Sequence, residues 1–110
     1  VLDQRPFFEA LLEGIEAGAP ADKLAFDFHI AIARASAQVA SEICARKGID
    51  TVALSGGVFM NRLLFQLLTR KLEDAGLTVL VPRTVPVNDG CIAYGQAAVA
   101  RARLAQVIPQ

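Results

Sequence analysis

Two short β-rich runs set among four helical stretches predict an α/β fold in the order α-α-β-α-β-α. Three observations carry the prediction. Ile49 to Leu54 and Leu77 to Val81 flank a stretch whose leucines fall on one helical face. A long alanine-rich stretch precedes them, with apolar residues at helical spacing. Two glycine-bearing turns, Gly56-Gly57 and Asn88-Asp89-Gly90, each follow a β-rich run and each open a helical pattern.

The elements read as follows. Phe7 to Ala17 is the first helix, with Pro6 at its first turn, and Gly18-Ala19-Pro20 breaks it. Ala21 to Lys47 is the second, closed by Gly48. Phe28, Ile32, Ala35, Val39 and Ile43 form one stripe on it. Phe26, Ile30, Ala33, Ala37 and Cys44 fall largely outside that stripe, so the helix is expected to be buried on more than one side. Ile49 to Leu54 is a strand. Asn61 to Ala75 is a helix with Leu63, Leu64, Leu67, Leu68 and Leu72 inward, ended by Gly76. Leu77 to Val81 is a continuous β-rich run, as expected of a parallel strand covered on both faces, and Pro82 stops it. Cys91 to Ala105 is the last helix. The strand–helix–strand unit predicts a right-handed parallel crossover.

With 110 residues and a first residue Val1, the chain is expected to be one domain or part of a longer one. Two strands alone make no stable sheet, so partner strands are expected upstream. Hydrophobic residues reach 54%, much of it alanine. Eleven basic and eleven acidic residues cancel, which argues against a general nucleic-acid binder. No apolar run is long enough to span a membrane, and no signal-peptide pattern opens the chain. Cys44 and Cys91 fit neither a zinc motif nor a disulfide framework, so a reducing, cytoplasmic setting is expected.

Leu54-Ser55-Gly56-Gly57-Val58-Phe59-Met60-Asn61 is the most informative stretch. Glycines after a strand let backbone approach a ligand, and a following helix N-terminus offers free N–H groups to a phosphate. A tight turn with no ligand is the other reading, and the pair alone does not decide between them. Asn61 caps the helix or points its amide at a ligand; capping is the commoner use. Asp89, before the last helix, reads first as a cap and second as a single carboxylate ligand for a metal. The single histidine, His29, reads as a structural mid-helix residue, and one histidine builds no metal site by itself. Cys91, near a helix start, has no neighbouring base, and Cys44 reads as core. Arg62 is close enough in sequence to reach the same loop; the other basic residues read as solvated surface. The two glycine turns together suggest one site built from both.

These two motifs, with Pro86-Val87-Asn88-Asp89-Gly90-Cys91-Ile92-Ala93-Tyr94-Gly95-Gln96 as the second and the pair Phe28-His29 beside them, resemble the C-terminal end of the HypF-type carbamoyltransferases of NiFe hydrogenase maturation. The resemblance covers about residues 20 to 105. TsaD-type tRNA threonylcarbamoyladenosine synthases and antibiotic O-carbamoyltransferases share the Gly-Gly-Val…Asn loop and the aspartate; Asn-Asp-Gly followed by Gly-Gln favours the HypF branch. One departure is Cys91, where that branch usually has a second glycine.

The resemblance implies an actin-like ATPase (ASKHA) fold, with this chain, residues 1–110, as the C-terminal part of its second lobe. It implies that Gly56, Gly57, Val58 and Asn61 hold ATP or carbamoyl adenylate. It implies that Asp89 ligates a divalent metal (Zn, Fe or Mg) with two histidines of an upstream helix that this chain lacks. The implied activity is ATP-dependent: carbamoyl phosphate is converted to carbamoyl adenylate, and the carbamoyl group passes to the C-terminal cysteine of a HypE-type partner. The segment alone is expected to be inactive and to self-associate. A non-catalytic α/β interaction fragment is the alternative from a different class.

Overall fold

Pro20 and Gly48 bracket the longest element, and the helix between them runs where the sequence places it. The computed structural model describes residues 3–107. Its elements are α1 (Arg5–Glu16), α2 (Ala21–Lys47), β1 (Thr51–Ala53), α3 (Arg62–Asp74), β2 (Thr78–Leu80) and α4 (Ile92–Val107). Gly48 and Gly76 end α2 and α3 with φ of 65° and 80°, the left-handed geometry that stops a helix. Proline stands in the first turn of α1 as expected, although that helix begins two residues earlier than predicted.

β1 and β2 pair in parallel, with Thr51 opposite Thr78, Val52 opposite Val79 and Ala53 opposite Leu80. Each strand is shorter than its β-rich run. The ladder extends by single bonds, Thr78 N–H to Asp50 O at 2.8 Å and Leu54 N–H to Leu80 O at 2.9 Å. Beyond them no third strand among the described residues continues the sheet. The expectation that the second strand is covered on both faces fails within this chain: Val79 is half-buried, whereas Leu80 is 55% exposed.

The core lies between α2, α3 and the strands. Its buried members are Ala33, Ala37, Leu54, Leu64, Leu68 and Leu72, with Val52, Phe59, Phe65, Leu77 and Val79 packed partly against them. The leucine face of α3 is as predicted: Leu64, Leu68 and Leu72 repeat every four residues and are all buried. On α2 the expected burial on more than one side is only partly met within this chain. Ala33, Ala37 and Cys44 are the buried positions, while Val39 and Ile43 are 41% and 43% exposed. Small side chains at Ala33 and Ala37 let α3 pack closely there, and Ile32 is partly buried against the same core.

α4 stands apart. Beyond the turn that introduces it, it packs on little else. Ile92, Tyr94, Val99 and Leu104 are each more than half exposed. Apolar residues lie all round it, a pattern that belongs to a buried helix. The molecule measures 70 × 31 × 23 Å, with a radius of gyration of 18.8 Å, against about 13 Å for a compact domain of this length. Among the described residues no helix is long and apolar enough to cross a membrane.

Candidate functional site

β1 runs into Leu54, which is buried, and the chain then turns sharply at Gly56. That residue has φ 116° and ψ 154°, a region that glycine alone adopts without strain. The next residues form a single 3₁₀ turn, Gly57–Met60, before Asn61 starts α3. The helix thus starts where the sequence places it, at Asn61, with one short turn between it and the glycine pair. Phe59 anchors the turn by packing edge-on against Phe65, ring centres 6.2 Å apart. Val58 and Met60, on the other side, are 59% and 64% exposed.

The second glycine turn comes to the same place. Gly56 N–H donates to Val87 O at 2.8 Å. Asn88 Nδ2 reaches Met60 Sδ at 3.3 Å. A Cβ added at Gly57 would sit 4.0 Å from the Cβ of Asn88 and meet nothing nearer. The two glycine turns thus meet, with open space over Gly57. The residue carrying the turn's conformation is Gly56; Gly57 has no positive φ.

Asn61 is the cap of α3: its Oδ1 accepts from Leu64 N–H at 3.1 Å. The same amide, through Nδ2, lies 2.7 Å from Nε2 of His29. His29 Nδ1 in turn is 2.6 Å from Ala25 O. Sequence reasoning placed His29 as a structural mid-helix residue; no local signal reveals a contact across 32 residues.

At the second turn, the cap is Asn88 and not Asp89. Asn88 Oδ1 accepts from Gly90 N–H at 3.0 Å, and a Cβ at Gly90 would press on that oxygen at 3.0 Å. The capping reading of Asp89 is therefore overturned: the neighbouring asparagine takes the role. Asp89 is exposed and takes part in none of the ion pairs or side-chain hydrogen bonds of the described residues. Its carboxylate is free to take one position on a cation. No cluster of three or more potential metal ligands exists among the described residues. Cys91 ends a second 3₁₀ turn, Asp89–Cys91, without a positive φ, so that position does not require glycine. Both cysteines are free, Cys44 buried and Cys91 half-buried. Arg62 is exposed beside Asn61.

Comparison with known proteins identifies the family. Residues 1–96 match the family described as "Carbamoyltransferase, Kae1-like Domain, second subdomain". Carbamoyltransferase HypF of Rhizobium leguminosarum bv. viciae is 43% identical over 101 residues, covering 91% of this chain and 13% of that protein. A carbamoyltransferase HypF homolog of Cupriavidus necator is 40% identical over 114 residues, covering all of this chain and 29% of that protein. The crystal structure of T. kodakarensis HypF superposes with a TM-score of 0.79 at 34% identity, covering 96% of this chain and 14% of that one. The chain thus spans well under a third of the length of these relatives. They favour the HypF branch over the tRNA-modifying and O-carbamoylating alternatives, and the mixed helix–strand fold is the one their likeness supports. The chain belongs to the HypF carbamoyltransferase family, in the second subdomain of its Kae1-like domain.

Proposed function

We propose that this chain is the C-terminal segment of an ATP-dependent, actin-like (ASKHA) carbamoyltransferase, and that its paired turns form part of the nucleotide site. The observation that supports this most is the Gly56 N–H to Val87 O bond. It holds together the two turns that follow the adjacent parallel strands β1 and β2, and it leaves open space over Gly57. Gly56, Gly57, Val58 and Asn61 would border ATP or carbamoyl adenylate. A glycine backbone lets peptide N–H groups take the place of water around a phosphate. An exposed Val58 offers apolar surface to a base or ribose.

Asp89 would hold a divalent metal together with histidines from outside this chain. That ion would offset phosphate charge and orient the adenylate. In the reaction proposed for the full-length enzyme, water releases phosphate from carbamoyl phosphate, and the carbamate oxygen then attacks the α-phosphorus of ATP, expelling pyrophosphate and giving carbamoyl adenylate. The thiol of the C-terminal cysteine of a HypE-type protein then attacks the carbamoyl carbon, AMP leaves, and a thiocarboxamide results on the way to a hydrogenase cyanide ligand. The protein's contribution is positioning and electrostatics. A cytoplasmic setting fits free thiols and such a partner.

Calorimetric titration of the full-length enzyme with ATP tests the reading. Wild-type protein should bind, and Gly57→Val should bind several-fold more weakly with an unchanged melting temperature. A Gly57→Val enzyme with full ATP affinity removes the glycine loop from the nucleotide site.

A further inference from the structure

The glycine loop is held in place from a third element, α2. Asn61 carries two N–H donors and two acceptor lone pairs on its side chain. Its Oδ1 accepts from Leu64 N–H at 3.1 Å, so oxygen must lie on the α3 side and the NH2 group on the other. That group meets Nε2 of His29 at 2.7 Å. Nε2 must then be the acceptor, and the ring's one proton sits on Nδ1. From there it is donated to Ala25 O at 2.6 Å, one turn back on α2. A single arrangement of protons satisfies all three groups. It leaves one N–H of Asn61 uncommitted, on a residue that is exposed, while His29 itself is half-buried.

We infer that His29 is a positioning residue for nucleotide binding: its Nε2 lone pair locks the Asn61 amide so that the remaining N–H is presented to the bound nucleotide. The inference rests on the placement of Asn61 at the nucleotide proposed above. Without His29, Leu64 still holds Asn61 by its oxygen, but the amide loses its second tether. The uncommitted N–H then has to be ordered when ligand binds, and that ordering is subtracted from affinity. A merely structural histidine would need only its Nδ1–H bond to the helix carbonyl. The second nitrogen, committed to the residue that starts α3, is what sets His29 apart.

The test uses the full-length enzyme, with ATP affinity read by calorimetry and melting temperature beside it. His29→Leu should lower ATP affinity about fivefold, the factor expected for one hydrogen bond of ordinary strength. His29→Gln, whose Oε1 accepts from Asn61 as Nε2 does, should recover most of that loss. In an Asn61→Ala background, His29→Leu should cost no further affinity. Should the leucine variant fail to fold, His29→Lys, a donor in place of an acceptor, is read the same way. Weakened binding in Asn61→Ala with full affinity in His29→Leu overturns the inference and leaves the nucleotide site standing. Equal losses in His29→Leu and His29→Gln, or additive losses in the double variant, overturn it as well. Unchanged affinity in Asn61→Ala takes Asn61 out of the nucleotide site, and the reading of the loop falls with it.

Discussion

Gly56 and Val87, some thirty residues apart, are joined by a main-chain hydrogen bond of 2.8 Å. No side chain takes part, so substitution acts on the bond only through backbone conformation. With φ 116° and ψ 154°, Gly56→Ala strains that conformation by roughly 1–3 kcal/mol. The expected outcome in the full-length enzyme is a lower denaturation midpoint and weaker ATP binding together. Gly57→Ala is the control: its added Cβ meets only Asn88 Cβ, at 4.0 Å, so stability should hold. Chemical denaturation of the two variants checks the contrast, and equal losses at both positions would contradict it.

Much of this site was hidden from the sequence for identifiable reasons. The two glycine turns were visible because glycine and Asn-Asp-Gly punctuate any chain. Their meeting is a backbone contact between distant residues, and no periodicity encodes one. The His29–Asn61 bond is hidden for the same reason. Asp89 was misread as a cap because either of two adjacent residues, Asn88 or Asp89, can play that part; geometry gave it to Asn88. The bounds of α2 were legible from Pro20 and Gly48, yet how far each of its faces is covered was not. Periodicity weights large residues, and here Ala33 and Ala37 face the core while Val39 and Ile43 do not. Strand ends were overextended because a ladder needs partners, and β1 and β2 have only each other.

Asp89 and Asn88 should separate cleanly in mutagenesis. Asn88→Ala removes the bond to Gly90 N–H and should cost about 1 kcal/mol of stability, as loss of a cap does. Asp89→Ala removes an exposed carboxylate with no partner among the described residues, so the fold should be unaffected. In the full-length enzyme the metal content and carbamoyl transfer should both fall. Elemental analysis of purified variants decides the matter, and full metal occupancy in Asp89→Ala would make that residue a bystander.

Two adjacent turns of α3 should respond in opposite directions. Leu72 is fully buried in the core cluster, and Leu72→Ala should cost about 2–5 kcal/mol, transfer and cavity terms combined. The Thr69 hydroxyl is buried with no hydrogen-bond partner. An unmade hydrogen bond costs roughly 1–3 kcal/mol in desolvation, so Thr69→Val, of the same shape, should leave stability equal or higher. Thermal melts of both variants in the full-length enzyme are the measurement. A destabilised Thr69→Val would mean that the hydroxyl finds a partner outside this segment.

The 110-residue segment expressed alone should turn over no carbamoyl phosphate and should self-associate. The first expectation follows from Asp89 standing without companion metal ligands among the described residues. The second follows from exposed apolar surface. Leu80 on β2, Val39 and Ile43 on α2, and Ile92, Tyr94, Val99 and Leu104 on α4 are all exposed. The two-stranded sheet also leaves both outer edges with unpaired backbone groups, a template for pairing with another chain. Surface of this extent favours association, and a symmetric dimer, burying the same patch twice, is the simplest arrangement. Sedimentation equilibrium over a range of concentrations measures it directly. A folded monomer at high concentration would show that the α2–α3 core suffices alone, and that the apolar face of α4 tolerates water better than its composition implies.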